Sequence, residues 1–182
     1  VVFSRERNND DADTREIYVS TIDGSAAELR LTINSVSDDD PVWSPDGNRI
    51  LHASTENGGS GLFLCSDTGA DRTPFLPTTG GFSDSQPDWH RGSDRVVFSR
   101  RDPSGKHSLW LVNGSGFGEI QLTDAGLATG NDNGDREPSF SPDGSLVVFV
   151  RRFSSDRAKL MVCAVATATV TEVFAPTGDL CC

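Results

Sequence analysis

Short runs in which apolar and polar residues alternate recur along the chain. "EIYVS" (Glu16–Ser20), "GLFLC" (Gly61–Cys65), "SLWLV" (Ser108–Val112) and "KLMVC" (Lys159–Cys163) are four of them. A period of two puts successive side chains on opposite faces of an extended chain, and the aromatic and β-branched content suits a pleated surface. The runs therefore predict strands, and no stretch carries a helical period of useful length. Turn words follow at once. "TIDGSA", "SDTGAD" and "NGSGFG" place Gly and Asp where a tight hairpin needs positive φ. A last short strand closes each group: "ELRLT" at Thr32, "TPFLPT" at Thr78, "EIQLT" at Thr123 and "VTEVFA" at Ala175.

The groups are copies of one unit. "DPVWSPDGNRILHAS" (Asp40–Ser54) aligns with "QPDWHRGSDRVVFSR" (Gln86–Arg100) and "EPSFSPDGSLVVFVR" (Glu137–Arg151), and their prolines Pro41, Pro87 and Pro138 lie 46 and 51 residues apart. The opening "VVFSR" matches Val96–Arg100 and begins a fourth copy that lacks its first part. Four short strands repeating at this spacing predict an all-β fold, a β-propeller of four-stranded antiparallel blades. About four blades are present: an incomplete blade 1 over 1–32, blade 2 over 40–78, blade 3 over 86–123 and blade 4 over 137–175, with a tail at 176–182.

The words "PVWSPDG", "EPSFSPDG" and the degenerate "QPDWHRGSDRVVFS" resemble the WD40-like PD40 repeats of TolB-type propellers. The same repeats occur in propeller domains of prolyl-oligopeptidase relatives, and the resemblance covers essentially the whole chain. It implies that Pro-x-aromatic is the innermost strand A, that Ser-Pro-Asp-Gly is the turn to strand B, and that strands C and D follow outward. Trp43, Trp89 and Phe140 then fill the space between blades. Pro45 and Pro142 preset φ, Gly47 and Gly144 accept positive φ, and Asp46 and Asp143 bond nearby amides. Arg91-Gly92-Ser93 replaces Pro-Asp-Gly in blade 3, so that turn is expected to be built differently. The family has six to eight blades. Three readings stay open: a piece of a longer propeller chain, a homo-oligomer closing a larger ring, or a self-sufficient four-bladed ring.

Composition narrows the function classes. A formal charge of -11 repels phosphate and disfavours nucleic acid, so none is expected as a partner. No apolar run approaches the roughly 20 residues of a membrane-spanning helix, and "VVFSRERNND" is not a signal peptide. Cys65 and Cys163 fall in strand-like runs as small buried hydrophobes. Cys181 and Cys182 suit either an interchain disulfide or a frayed end. The resemblance implies an extracytoplasmic, periplasmic or secreted, home.

Blade topology places the D-to-A and B-to-C connections on one face, around the channel mouth. These loops are long and charged, whereas the A-to-B and C-to-D turns opposite are short, so a ligand is expected at the first face. Candidate residues there are Asp38, Asp39, Asp40, Asp84, Gln86, Asp132, Asp135, Glu137, Arg100 and Arg151. Asp40, Gln86 and Glu137 share one blade position. As converging oxygens they suit calcium, with Asp40 and Glu137 as ligands, or they simply cap strand starts. No other cofactor is expected. Arg5, Arg100 and Arg151 share another position, where blade 2 has Ser54. They are expected to bridge neighbouring blades, or to meet a carboxylate-bearing ligand.

Catalysis finds little support. His52 takes a slot filled elsewhere by Phe3, Phe98 and Phe149, which predicts a core position. His90 sits in an A-to-B turn and His107 in a surface loop. No GxSxG elbow is present. The expected function is a non-enzymatic scaffold binding a protein or peptide at the acidic face. The alternatives are a propeller domain of a larger enzyme, such as a peptidase gate or sugar-acid lyase, and a structural subunit that assembles through its open first blade.

Overall fold

A computed structural model describes residues 1–6, 14–56, 58–77, 80–124, 134–154 and 157–173. Its strands are β1 (Val2–Glu6), β2 (Arg15–Val19), β3 (Leu29–Arg30), β4 (Asp38–Trp43), β5 (Arg49–Ser54), β6 (Gly61–Ser66), β7 (Thr73–Pro74), β8 (Ser83–His90), β9 (Arg95–Arg101), β10 (His107–Asn113), β11 (Ile120–Gln121), β12 (Gly134–Phe140), β13 (Leu146–Ser154), β14 (Arg157–Ala164) and β15 (Thr169–Glu172). Within each blade, sequential strands pair antiparallel. β1-β2-β3 form the first blade without an innermost strand, and β4-β5-β6-β7 form the second. The third and fourth blades, β8 to β11 and β12 to β15, join into one sheet through a single parallel pair, His107 with Gly134.

The Ser-Pro-Asp-Gly words build two equal turns. The Ser44 hydroxyl donates to Asp46 Oδ1 at 2.6 Å and accepts from Arg49 N at 2.9 Å. Ser141 does the same with Asp143 at 2.6 Å and Leu146 N at 3.0 Å. The Ser141 hydroxyl, with the Ser145 amide and hydroxyl, holds the Asp143 carboxyl down at about 2. Gly47 and Gly144 carry the positive φ. In blade 3 the left-handed residue moves one place along, from glycine to Asp94 (φ 48°), whose Oδ1 also accepts from the Trp89 indole at 2.9 Å. That turn is indeed built differently.

Strand D is shorter than the sequence predicts in the first three blades. After two paired residues, the threonine of the closing Leu-Thr word takes over. Thr32 Oγ1 accepts from Ile17 N at 2.9 Å, and Thr123 Oγ1 accepts from Leu109 N at 3.0 Å. A side-chain acceptor replaces a ladder bond. Thr78, Ala175 and the tail with Cys181 and Cys182 lie outside the described residues.

The core lies between blades, as three separate clusters. Ile17 and Leu31 of blade 1 meet Ile50 and Cys65, with Trp43 against them. Leu51, Leu62 and Leu76 of blade 2 meet Trp89, Val96, Phe98 and Val112. Val97, Leu109 and Leu111 of blade 3 meet Val147, Phe149, Met161 and Cys163, with Phe140 against them. The strand A aromatics therefore pack between blades as expected. Each such Leu, Val or Phe contributes about 1.5–3 kcal/mol of burial. Cys65 and Cys163 are free and buried, and burial pushes both thiols up, Cys65 to about 11.

Candidate functional site

Strand A is bulged at the same place in three blades. Register shifts fall between Asp39 and Val42, Ser85 and Asp88, and Arg136 and Ser139. The residues looped out are Asp40-Pro41, Gln86-Pro87 and Glu137-Pro138. Proline has no N–H to withdraw from the ladder, so it tolerates the bulge. The preceding residue turns left-handed, at φ 52° for Asp40 and 54° for Gln86 and Glu137. Its own N–H then leaves the ladder and needs an acceptor.

The neighbouring blade supplies it. Gln86 N donates to Asp40 Oδ2 at 3.2 Å, and Glu137 N donates to Gln86 Oε1 at 3.1 Å. A second rung sits beside this one, where Phe140 N donates to Asp88 Oδ2 at 2.7 Å. The three residues and their prolines line a shallow hollow of about 300 Å³ where the A strands of blades 2, 3 and 4 adjoin. The structure thus brings Asp40, Gln86 and Glu137 together, and all three take part in an interblade relay that composition could not reveal. Replacing Gln86 with Met keeps the volume and removes the acceptor. Its expected cost is about 1 kcal/mol in urea denaturation, and unchanged stability would dismiss the relay.

Asp38, Asp84 and Asp135, two residues upstream, are each fully buried. The bulge sets them opposite the arginine position of strand B. Arg100 Nε and Nη2 donate to Asp84 Oδ1 and Oδ2 at 2.6 and 2.7 Å. Arg151 holds Asp135 in the same fork at 2.6 and 2.8 Å. Both pairs lie within one blade. The expectation that these arginines bridge neighbouring blades is corrected, because strand A of the same sheet lies within reach and fills the guanidinium fork.

The strand D side completes the pattern. Arg5 meets Glu28 at 2.6 Å, and Arg100 meets Glu119 at 2.6 Å, from the residue before each short strand D. Blade 2 exchanges the roles. Ser54 stands at the arginine position, and Arg72 stands where the glutamates are. Arg72 reaches back to Asp38 Oδ1 at 3.2 Å and Ser54 Oγ at 2.8 Å, and also pairs with Glu56. Sequence reading missed Arg72, Glu28 and Glu119, although aligning the residues before strand D in the copies exposes the exchange.

Asp39 pairs with Arg15 of blade 1 at 2.9 Å and accepts from Ser37 at 3.0 Å. Asp132 lies outside the described residues. Among the described residues no three His, Cys, Asp or Glu side chains gather as a metal site.

The histidines are packed rather than presented. His52 is fully buried in the phenylalanine slot, as expected. His90 Nε2 lies 3.1 Å from the Pro142 carbonyl of the next blade. His107 is not in a surface loop: it opens β10 and is 6% exposed, because β12 of blade 4 pairs against it. Its Nδ1 lies 3.0 Å from Ser99 Oγ, and its Nε2 lies 2.8 Å from Arg136 Nη2. Ser99 is fully buried and its hydroxyl donates to the Asp135 carbonyl at 3.0 Å, so this Ser-His contact is closed to a substrate.

Comparison with known proteins fits this geometry. A family model described as the TolB β-propeller domain, PD40, matches residues 2–180. A protein assigned as a TolB from Agrobacterium tumefaciens superposes with a TM-score of 0.76 at 19% identity, over 95% of this chain and 60% of that one. TolB from Acinetobacter baumannii gives 0.67 at 17%, over 88% and 38%. An oligogalacturonate lyase from Vibrio parahaemolyticus gives 0.65 at 10%, over 91% and 44%. The chain therefore spans less than two thirds of each of these structures, and at such identities they show the fold alone. No curated protein matches. With its bulged Pro-x-aromatic strands and its Ser-Pro-Asp-Gly turns, the chain belongs to the PD40 family of TolB β-propeller domains.

Proposed function

We propose that this propeller is a non-catalytic scaffold that binds a protein or peptide at the rim formed by the D-to-A and B-to-C loops, in an extracytoplasmic compartment. The observation that carries the reading is the shape and charge of that rim. A hollow of about 300 Å³ is walled by three prolines and edged by Asp40, Gln86 and Glu137. Proline rings offer an apolar floor, and Glu137 is exposed at the end of the relay. The opposite face carries short turns whose polar groups already bond one another. The packed histidines and the closed Ser99-His107 contact favour a scaffold over an enzyme.

A photo-crosslinking amino acid at position 137, compared with one at the exposed Asn48 position on the opposite face, tests the reading in extracts of the source organism. The expected result is a discrete adduct from position 137 and none from position 48. Adducts from position 48 alone would overturn it.

A further inference from the structure

One junction between blades differs from the other two. Where blade 3 meets blade 2, and where blade 4 meets blade 3, the strand B residue facing the preceding blade is Phe98 or Phe149, both buried in apolar clusters. The corresponding residue of blade 2 is His52. It is fully buried, and its ring stacks on Phe63 with centroids 6.2 Å apart. Nδ1 lies 3.2 Å from the Ala53 carbonyl, and Nε2 has no hydrogen-bond partner.

The charges around it are paired without it. Asp38 of β4, 3.8 Å from Nδ1, is held by Arg72 and by the Asn34 amide at 2.6 Å. Glu16 of β2, fully buried, is held by Arg30 at 2.8 Å. Glu56 sits on the outer side of Arg72, half exposed. Among the described residues, two buried carboxylates therefore already meet two guanidinium groups. A proton on His52 would add a buried charge beside pairs that are already made, and would give Nε2 a buried N–H with no acceptor.

From this geometry we infer that the joint between the first and second blades is acid-sensitive: it is seated while His52 is neutral and loosens when His52 takes a proton. Burial lowers the affinity of His52 for that proton, against the pull of Asp38. The sign follows. A histidine whose folded-state value lies below its unfolded value of about 6.5 gives stability that is complete above that pH and is lost as pH falls through it. One proton taken up on opening corresponds to about a tenfold loss in the folded-to-open ratio per pH unit.

Urea denaturation of the chain between pH 8 and pH 5 tests the joint, comparing wild type with His52→Phe, which installs the residue found in the other three blades. Wild type is expected to lose about tenfold more per pH unit below 6.5 than His52→Phe, since the carboxylates act equally in both. Parallel pH profiles would overturn the inference. Should His52→Phe fail to fold, the His52 Cε1 proton resonance in wild type decides. A midpoint below 6.5 in the folded protein is expected, and a midpoint at or above 6.5 would overturn it. Hydrogen exchange locates the effect. Amides of β2 should lose protection on acidification while those of β9 and β10 keep theirs, and uniform loss would remove the joint as its seat.

Discussion

Arg100→Ala is expected to destabilise the chain by about 3–5 kcal/mol, a large part of the roughly 5–15 kcal/mol that holds a typical domain. Asp84 is fully buried, and both of its oxygens are spent on Arg100. Removing the guanidinium leaves a buried carboxylate without its partner. Burial already pushes the Asp84 carboxyl up, and Arg100 is what pulls against that push. In the variant the folded-state value rises further, so the folded protein gains a proton as pH drops. The deficit should therefore be greatest near pH 8 and shrink toward acid. Arg100→Lys should recover only part of the loss, because an ammonium cannot span both oxygens. Arg100 also lies 4.9 Å from the Trp110 ring and 5.2 Å from Phe98, so part of the loss is packing. Asp84→Asn combined with Arg100→Met separates the two, since it removes both charges and keeps an apolar stem. Urea denaturation decides. A loss below about 1 kcal/mol for Arg100→Ala would show that the pair is ornamental.

The same pair shows where sequence reading stopped. Counting back from the A-to-B turn with a strict hairpin register sets Ser85 opposite Arg100 and Arg136 opposite Arg151. The second of these would face arginine with arginine. The bulge shifts the register by one, so Asp84 and Asp135 arrive opposite instead. Nothing in the residue pattern marks that shift, because left-handed φ at a non-glycine residue before proline has no compositional signature. The arginines were legible as a repeated position, and their partners were not. Blade number, strand order, turn placement and the interblade aromatics were legible, because each rests on a local word repeated at a fixed spacing. His107 was misplaced for the opposite reason. Its position depends on a strand of the next blade, 27 residues further on at Gly134, and local pattern cannot report such a contact.

Phe98→Ala is the second large effect, expected at about 3–5 kcal/mol. The ring is fully buried, within a cluster that includes Leu51, Leu62 and Trp89. The equivalent Phe3 lies on the outer side of blade 1, only partly buried and stacked on Tyr18 at 5.8 Å. Phe3→Ala therefore serves as the control and should cost far less at the same repeat position. The manner of unfolding should also change. In a chain of blades, each unit touches only its neighbours, so one weakened joint divides the array. Blades 3 and 4 keep the His107–Gly134 strand pair and the Asp88 rung, which Phe98 does not touch. Blades 1 and 2 keep their own cluster around Ile17 and Ile50. In Phe98→Ala, amides of β5 and β6 are expected to lose protection at lower urea than those of β13 and β14. A single coincident transition for both sets would show that cooperativity does not pass through this joint.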